Sequence, residues 1–189
     1  MPTHLMVDLE TLGTAPTAIP IQIGAVFFDD NFKITGHFFI EPDIADAARS
    51  GLTTETDTIA WWMKRGSLTQ GETHPLKCSL SLFKSMLEVA ANYGKGKKAR
   101  DPIRSFWAWG IDFDVPILRN AFRAVDLEFP WPYWLTRDAR TIHSLAFPDY
   151  RPARGEVQHN ALEDARDQVA KLEAAFKTLG MSLSNSPQQ

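Results

Sequence analysis

Leu5-Met6-Val7-Asp8-Leu9-Glu10-Thr11 reads as a short, mostly apolar strand interrupted by two carboxylates. Side chains two apart on a strand leave the same face, about 6.6 Å apart along it. Asp8 and Glu10 therefore share a face. Two carboxylates so placed repel unless a cation lies between them; the alternative is a solvated strand end carrying two charges. Met6, Val7 and Leu9 make the strand apolar enough to be central in a sheet. An acidic pair emerging from such a strand points to chemistry.

Two further apolar runs follow at 21–28 and 33–40, with the turn residues Asp29, Asp30 and Asn31 near the junction, so these runs form an antiparallel hairpin. The segment 13–20, with Gly13, Pro16 and Pro20, is the loop that joins the first strand to it. Helical spacing then takes over. Residues 56–65 form a helix that stops before Gly66, and Leu80, Phe83, Leu87 and Ala90 mark another that stops at Gly94. Residues 103–109 are the next strand, followed by a helix through Leu118 and Phe122 and a shorter one at 138–145. The last helix carries the stripe Leu162, Ala165, Val169, Leu172, Phe176 and Leu179 and ends at Gly180. Strands first, then alternating strand and helix, give an α/β fold with a mixed central sheet flanked by helices.

The chain of 189 residues suits a single domain over 1–180, with a polar and disordered tail at 181–189. No apolar stretch approaches the roughly 18–20 residues that would span a bilayer, so no membrane partner is expected. The start lacks a secretory pattern, and the single Cys78 cannot close an internal disulfide. Both fit a cytoplasmic setting. Cys78 reads as a small apolar residue within a helix. A net charge of −3 argues against a protein that coats duplex nucleic acid, though not against an enzyme that grips a strand end. One cysteine excludes a zinc ribbon, and the lack of a GxxxxGK loop excludes the corresponding nucleoside triphosphatases.

Two more acidic positions join the pair. Asp114 follows the strand at 103–109 and suits either a helix cap or a metal ligand. Asp164 lies in the first turns of the last helix. Asn160 and Glu163 have capping-box spacing, which starts that helix at Asn160 and leaves His159 just outside it. Freed from the helix, His159 is able to converge on Asp164. Three or four carboxylates suit hard Mg²⁺ or Mn²⁺ and can hold two ions, which together activate water and stabilise the leaving oxygen of a phosphodiester. A neutral histidine beside them is a suitable proton acceptor.

The ordered set Asp8-Leu9-Glu10-Thr11, Phe113-Asp114, and His159 with Asp164 five residues on resembles the DEDDh family of 3′–5′ exonucleases, in the ribonuclease H-like superfamily. Ile21-Gln22-Ile23-Gly24-Ala25-Val26 is similar to the strand that follows the first motif in that family. The Asn often found before the second motif is replaced by Gly110-Ile111-Asp112. Leu12-Gly13-Thr14, Trp61-Trp62 and His159-Asn160-Ala161-Leu162 add similarity to the subgroup that contains phage exonuclease A and small bacterial exoribonucleases. The resemblance implies a ribonuclease H-like fold and release of 5′-mononucleotides from the 3′ ends of single-stranded RNA or DNA. It also implies two ions, Mg²⁺ or Mn²⁺. Asp8 would bridge them, Glu10 and Asp164 would bind one, Asp114 would support the other, and His159 would act as general base. Thr11 would meet the terminal nucleotide near its 3′-hydroxyl through its backbone, and Leu12 would meet the base.

Around this set, one of the adjacent Trp61 and Trp62 must face away from the core, where it can stack on a base, unless both are core-edge aromatics. Arg151 and Arg154, on the loop before His159, are placed to guide a strand; Arg137, Arg140 and the basic run 95–100 are further candidates. Phe129-Pro130-Trp131-Pro132-Tyr133-Trp134 suits a core edge or a homodimer interface.

Overall fold

The computed structural model describes residues 3–66, 77–78, 103–150 and 159–185. Six strands form one sheet: β1 (Thr3–Thr11), β2 (Pro20–Phe28), β3 (Ile34–Pro42), β4 (Lys77–Cys78), β5 (Ile103–Ala108) and β6 (Thr136–Asp138). Their order across the sheet is β4-β3-β2-β1-β5-β6. β2 runs antiparallel to both its neighbours, and the pairs β1–β5, β5–β6 and β3–β4 are parallel. β1 is therefore central, as its apolar character requires. Among the described residues the helices are α1 (Ile44–Arg49), α2 (Thr56–Arg65), α3 (Ile111–Ala124), α4 (Ala139–Ala146) and α5 (Ala161–Thr178). Among the described residues no helix is long and apolar enough to cross a membrane.

The two-residue alternation of β1 sorts its side chains into two cores. Leu5, Val7 and Leu9 pack with Ile117, Leu118, Ala121 and Phe122 of α3. Met6 packs on the opposite face with Ala165, Val169, Leu172 and Phe176 of α5. Each such side chain contributes on the order of 1.5–3 kcal/mol when fully buried. His4, Asp8 and Glu10 share the parity of Met6 and so lie on the face that α5 covers. The sheet thus presents its acidic pair to the helix that carries Asp164.

Two residues of β2 let α5 come that close. A Cβ at Gly24 would overlap the backbone of Ala161 and Leu162, so only glycine lets the helix start rest on the strand. Gln22 accepts the Ala161 N–H at 3.1 Å and donates to Glu41 at 3.4 Å. Asn160 caps the same helix by accepting from the Leu162 and Glu163 N–H groups at 3.1 Å. The capping box expected at Asn160 is present in its first half.

Other boundaries differ from the sequence reading. α1, β4 and β6 were not foreseen; the helix has six residues, and the two strands have two and three, all too short to show a period. Cys78, expected in a helix, ends β4 beside Pro42. The parallel pairing to β3 sets its conformation. Within the tail expected to be disordered from 181, Leu183–Asn185 form a 3-10 turn with Leu183 buried against the α5 side of the sheet, and residues 186–189 lie outside the described residues. The helix expected around 80–94, the basic run 95–100, and Arg151 and Arg154 lie outside the described residues.

Candidate active site

Asp8 and Glu10 leave the C-terminal end of β1, and the turn after β5 delivers Asp114. Gly110 ends that strand with φ +106° and serves as N-cap, so Asp114 is neither cap nor solvated. It is 4% exposed in the first turn of α3 and accepts the Leu9 N–H at 3.2 Å. Asp164 stands in the first turn of α5, where it accepts the Asn160 N–H at 3.2 Å. One turn further on, Gln168 donates to Asp8 Oδ1 at 2.6 Å. His159 lies just before the Asn160 cap and directs Nδ1 at Glu10 Oε1, 3.3 Å away. One ligand atom from each of Glu10, His159 and Asp164 can be chosen so that all lie within 4.8 Å of one another. All four acids and His159 line one open cleft of about 290 Å³.

Burial and mutual repulsion act together on these carboxylates. Burial first, then the Asp164 charge, pushes Asp8 up to about 7, against the pull of the Gln168 hydrogen bond. Burial and the charges of Asp8, Asp164 and Asp114 push Glu10 up to about 9. Asp114 is held well above the carboxylate range by burial and by Asp8, and burial raises Asp164. His159 is shifted the other way, by burial and then by the Arg65 charge, so it is neutral at pH 7. A group of half-paired acids that resists ionisation is a poor solution for a bare protein and a good one for a divalent oxygen-seeking cation. Gln168 Oε1, buried without a hydrogen-bond partner, adds to the site's unsatisfied polarity.

The family model of the 3′–5′ exoribonuclease Rv2179c-like domain matches residues 3–176. The chain belongs to that family. That family is one of 3′–5′ exoribonuclease domains, in keeping with the resemblance carried by the motif order. No curated protein matches it in sequence. Among solved structures it is similar to exonuclease I of E. coli. The zinc-bound complex with single-stranded DNA is 16% identical with a TM-score of 0.66, over 94% of this chain and 41% of that one. The apo enzyme gives 16% and 0.65 over 94% and 42%, and the complex with a dA16 oligonucleotide gives 16% and 0.67 over 95% and 42%. At that identity the likeness shows a shared ribonuclease H-like fold. The chain spans about two fifths of exonuclease I.

Within this domain the residues that flank the acids divide. Trp62 is 3% exposed and donates its indole N–H to the Thr11 carbonyl at 2.8 Å, so it supports the end of β1 and offers no face to a base. Trp61 is 38% exposed and sets its ring edge to face with His159, 4.9 Å between centroids, with the Arg65 guanidinium over it at 4.3 Å. Leu12, expected against a base, is buried in the core, and the Thr11 hydroxyl is spent on the Gly13 carbonyl at 2.6 Å. Arg137 turns away to the Trp134 and Thr136 carbonyls.

The sequence reading missed Gln168, Trp109, Phe113 and Lys171, which line the cleft, and it gave Arg140, which also lines it, no more weight than Arg137. A signal for Gln168 did exist. It lies four residues after Asp164, on the same helical face and inside the apolar stripe between Ala165 and Val169, where an uncharged polar residue needs a partner.

Proposed function

We propose that this domain shortens single strands from the 3′ end by hydrolysis and releases 5′-mononucleotides. The convergence of Asp8, Glu10, Asp114, Asp164 and His159 in one cleft carries this reading. The four carboxylates would hold two Mg²⁺ or Mn²⁺ ions. Once bound, these would supply water activation and charge neutralisation at the phosphodiester. The protein's own contribution is positional. β1 fixes Asp8 and Glu10, the Leu9 N–H fixes one Asp114 oxygen, and Gln168 fixes one Asp8 oxygen. His159 is neutral at pH 7 and free to take a proton from the attacking water, while the edge contacts of Trp61 and Trp62 hold its ring in place. Exposed Trp61 is the surface on which the released nucleotide's base would stack.

RNA is the substrate that the family description favours, whereas the similar exonuclease I structures hold DNA. Matched end-labelled RNA and DNA strands with Mg²⁺ or Mn²⁺ test both parts. Shortening from the 3′ end, faster on RNA and absent in Asp164→Ala, is the expected result. No shortening, or full activity in Asp164→Ala, would sink the proposal. A homodimer in a cytoplasmic setting remains part of the same reading. Tyr133 and Trp134 are 72% and 52% exposed beside edge strand β6, and light scattering decides whether they pair two copies.

A further inference from the structure

The cleft has two unlike ends. At the His159 end stands one exposed ring, Trp61. Beside Asp114, on which the Arg140 charge acts, the wall carries two rings and two cations: Trp109, Phe113, Arg140 and Lys171, the last of which also acts on Asp164. Phe113 is 37% exposed in the first turn of α3, an aromatic turned toward the cleft and away from either core. Trp109 is half-buried, with the Lys171 ammonium over its ring at 5.4 Å. Lys171 also pairs with Asp167, which lines the same cleft and offsets part of its charge.

Arg140 is the stronger cation. Its Nη2 donates to the Trp109 carbonyl at 2.8 Å, and its guanidinium lies over Gly110, where a Cβ would come within 2.9 Å of that nitrogen. The glycine therefore does two jobs, since its φ of +106° turns the chain and its missing side chain seats the arginine. Among the described residues no carboxylate lies within ion-pairing distance of Arg140. A carbonyl accepts one of its five donors, and its charge, at the rim of an acidic cleft, acts on Asp114 without an ion pair among the described residues.

Interleaved rings and cations are the surface that tracks a single strand, with rings stacking on bases and cations meeting phosphates. A 3′ exonuclease has one nucleotide on one side of the bond it cuts and the whole strand on the other. The single ring at the His159 end suits the first, and the paired rings and cations suit the second. We infer that Trp109, Phe113, Arg140 and Lys171 form the subsite for the strand on the 5′ side of the scissile phosphate, with Arg140 on a backbone phosphate. The inference rests on the exonuclease reading above and adds the path of the substrate through the site.

Equilibrium binding of a short, fluorescent, phosphorothioate-linked single strand in Mg²⁺, over a salt series, tests it. Arg140→Ala and Lys171→Met should each weaken binding about tenfold and flatten the slope of log affinity against log salt by about 0.7, the value for one lost phosphate contact on a single strand. Arg140→Lys should restore most of the slope. Thermal melts accompany both variants, because Arg140→Ala also removes a bond to the Trp109 carbonyl, and Lys171→Met removes its pair with Asp167, its place over Trp109 and its charge near Asp164. Wild-type affinity and slope in both variants would overturn the inference, as would failure of the wild-type protein to bind the strand. Cutting of an ordinary strand is read separately. A strand that binds with the expected slopes yet is never shortened leaves this subsite standing and removes the exonuclease reading. A strand that is shortened while both variants bind like wild type does the reverse.

Discussion

One face of β1 carries two polar constellations, at opposite ends, and they are built on opposite terms. At the N-terminal end, His4 Nδ1 lies 2.6 Å from Ser105 Oγ and His4 Nε2 lies 2.9 Å from Asp30. Taken by residue type this is a serine–histidine–aspartate array. Yet His4 is 2% exposed, Ser105 is 6% exposed, and the Trp107 indole N–H already donates to Ser105 Oγ at 2.5 Å. The Asp30 carboxylate accepts, so His4 Nε2 carries the ring proton, and the neutral ring takes the serine hydroxyl's proton at Nδ1; each group then has a partner and no room remains for a substrate. At the C-terminal end, four acids face one another across an open cleft with too few donors. Satisfaction marks a structural network and its absence marks a working one, whatever the residue types suggest.

The largest expected break in this contrast is Asp8→Asn. Exonuclease activity should fall by more than the roughly 10²–10⁴-fold that the loss of a general base costs. The metal-free protein should meanwhile melt at a higher temperature, because one of the mutually repelling buried acids is gone. Activity assays beside melts in EDTA check both halves. A variant that loses activity and stability together would mean that Asp8 is structural, like Ser105.

Gln168→Leu comes next. The amide orients Asp8 by a single bond, and loss of such a supporting partner typically costs about 10–100-fold in metal affinity. Calorimetric titration with Mn²⁺ measures it directly. Gln168→Glu places a further acid beside Asp8 and should raise the pH at which half the ion binds, whereas a residue that merely fills space would leave that pH alone.

These two residues also show what the sequence disclosed. The two-residue period of β1 brought Asp8 and Glu10 to one face, and the Asn160 cap separated His159 from the helix that holds Asp164. Both are local rules, and both elements stand in the structure. The cap reading of Asp114 failed because Gly110, in a left-handed conformation, took that position. Gln168, Arg140 and Phe113 were hidden for another reason. Their roles depend on the spacing between α5, α3, α4 and β1, which Gly24 and Gln22 set by letting α5 settle on β2. The 100° step of a helix meant that Trp61 and Trp62 could not both face the core fully, but it left open two core-edge rings and did not say which ring would turn inward.

At the other end of the strand, Ser105→Ala should leave exonuclease activity at the wild-type level and cost about 1–3 kcal/mol of stability. It strands His4 Nδ1 and the Trp107 N–H in the core without partners. Urea unfolding measures the loss, and a parallel loss of activity would show that the two ends are coupled through β1.

The smallest effect is a difference of sign between the two ends as pH changes. In the metal-free protein Asp8 and Glu10 hold their protons up to about 7 and about 9, against ordinary values of 3.8 and 4.5. Between those limits the folded state binds more protons than the unfolded one, so this end loses stability as pH rises. His4 is lowered from 6.5, because burial outweighs the pull of Asp30. Below 6.5 the unfolded chain takes a proton that the folded one resists, so that end loses stability as pH falls. Melts in EDTA across about pH 5–9 should therefore pass through a maximum on the acid side of neutrality and decline above it. Saturating Mg²⁺ should flatten the alkaline decline and leave the acid limb unchanged, because the ion competes with protons for the cleft carboxylates and does not reach His4. His159, which burial also lowers, has the same sign as His4, so an acid limb that moves with Mg²⁺ would assign more of that limb to His159 than to His4.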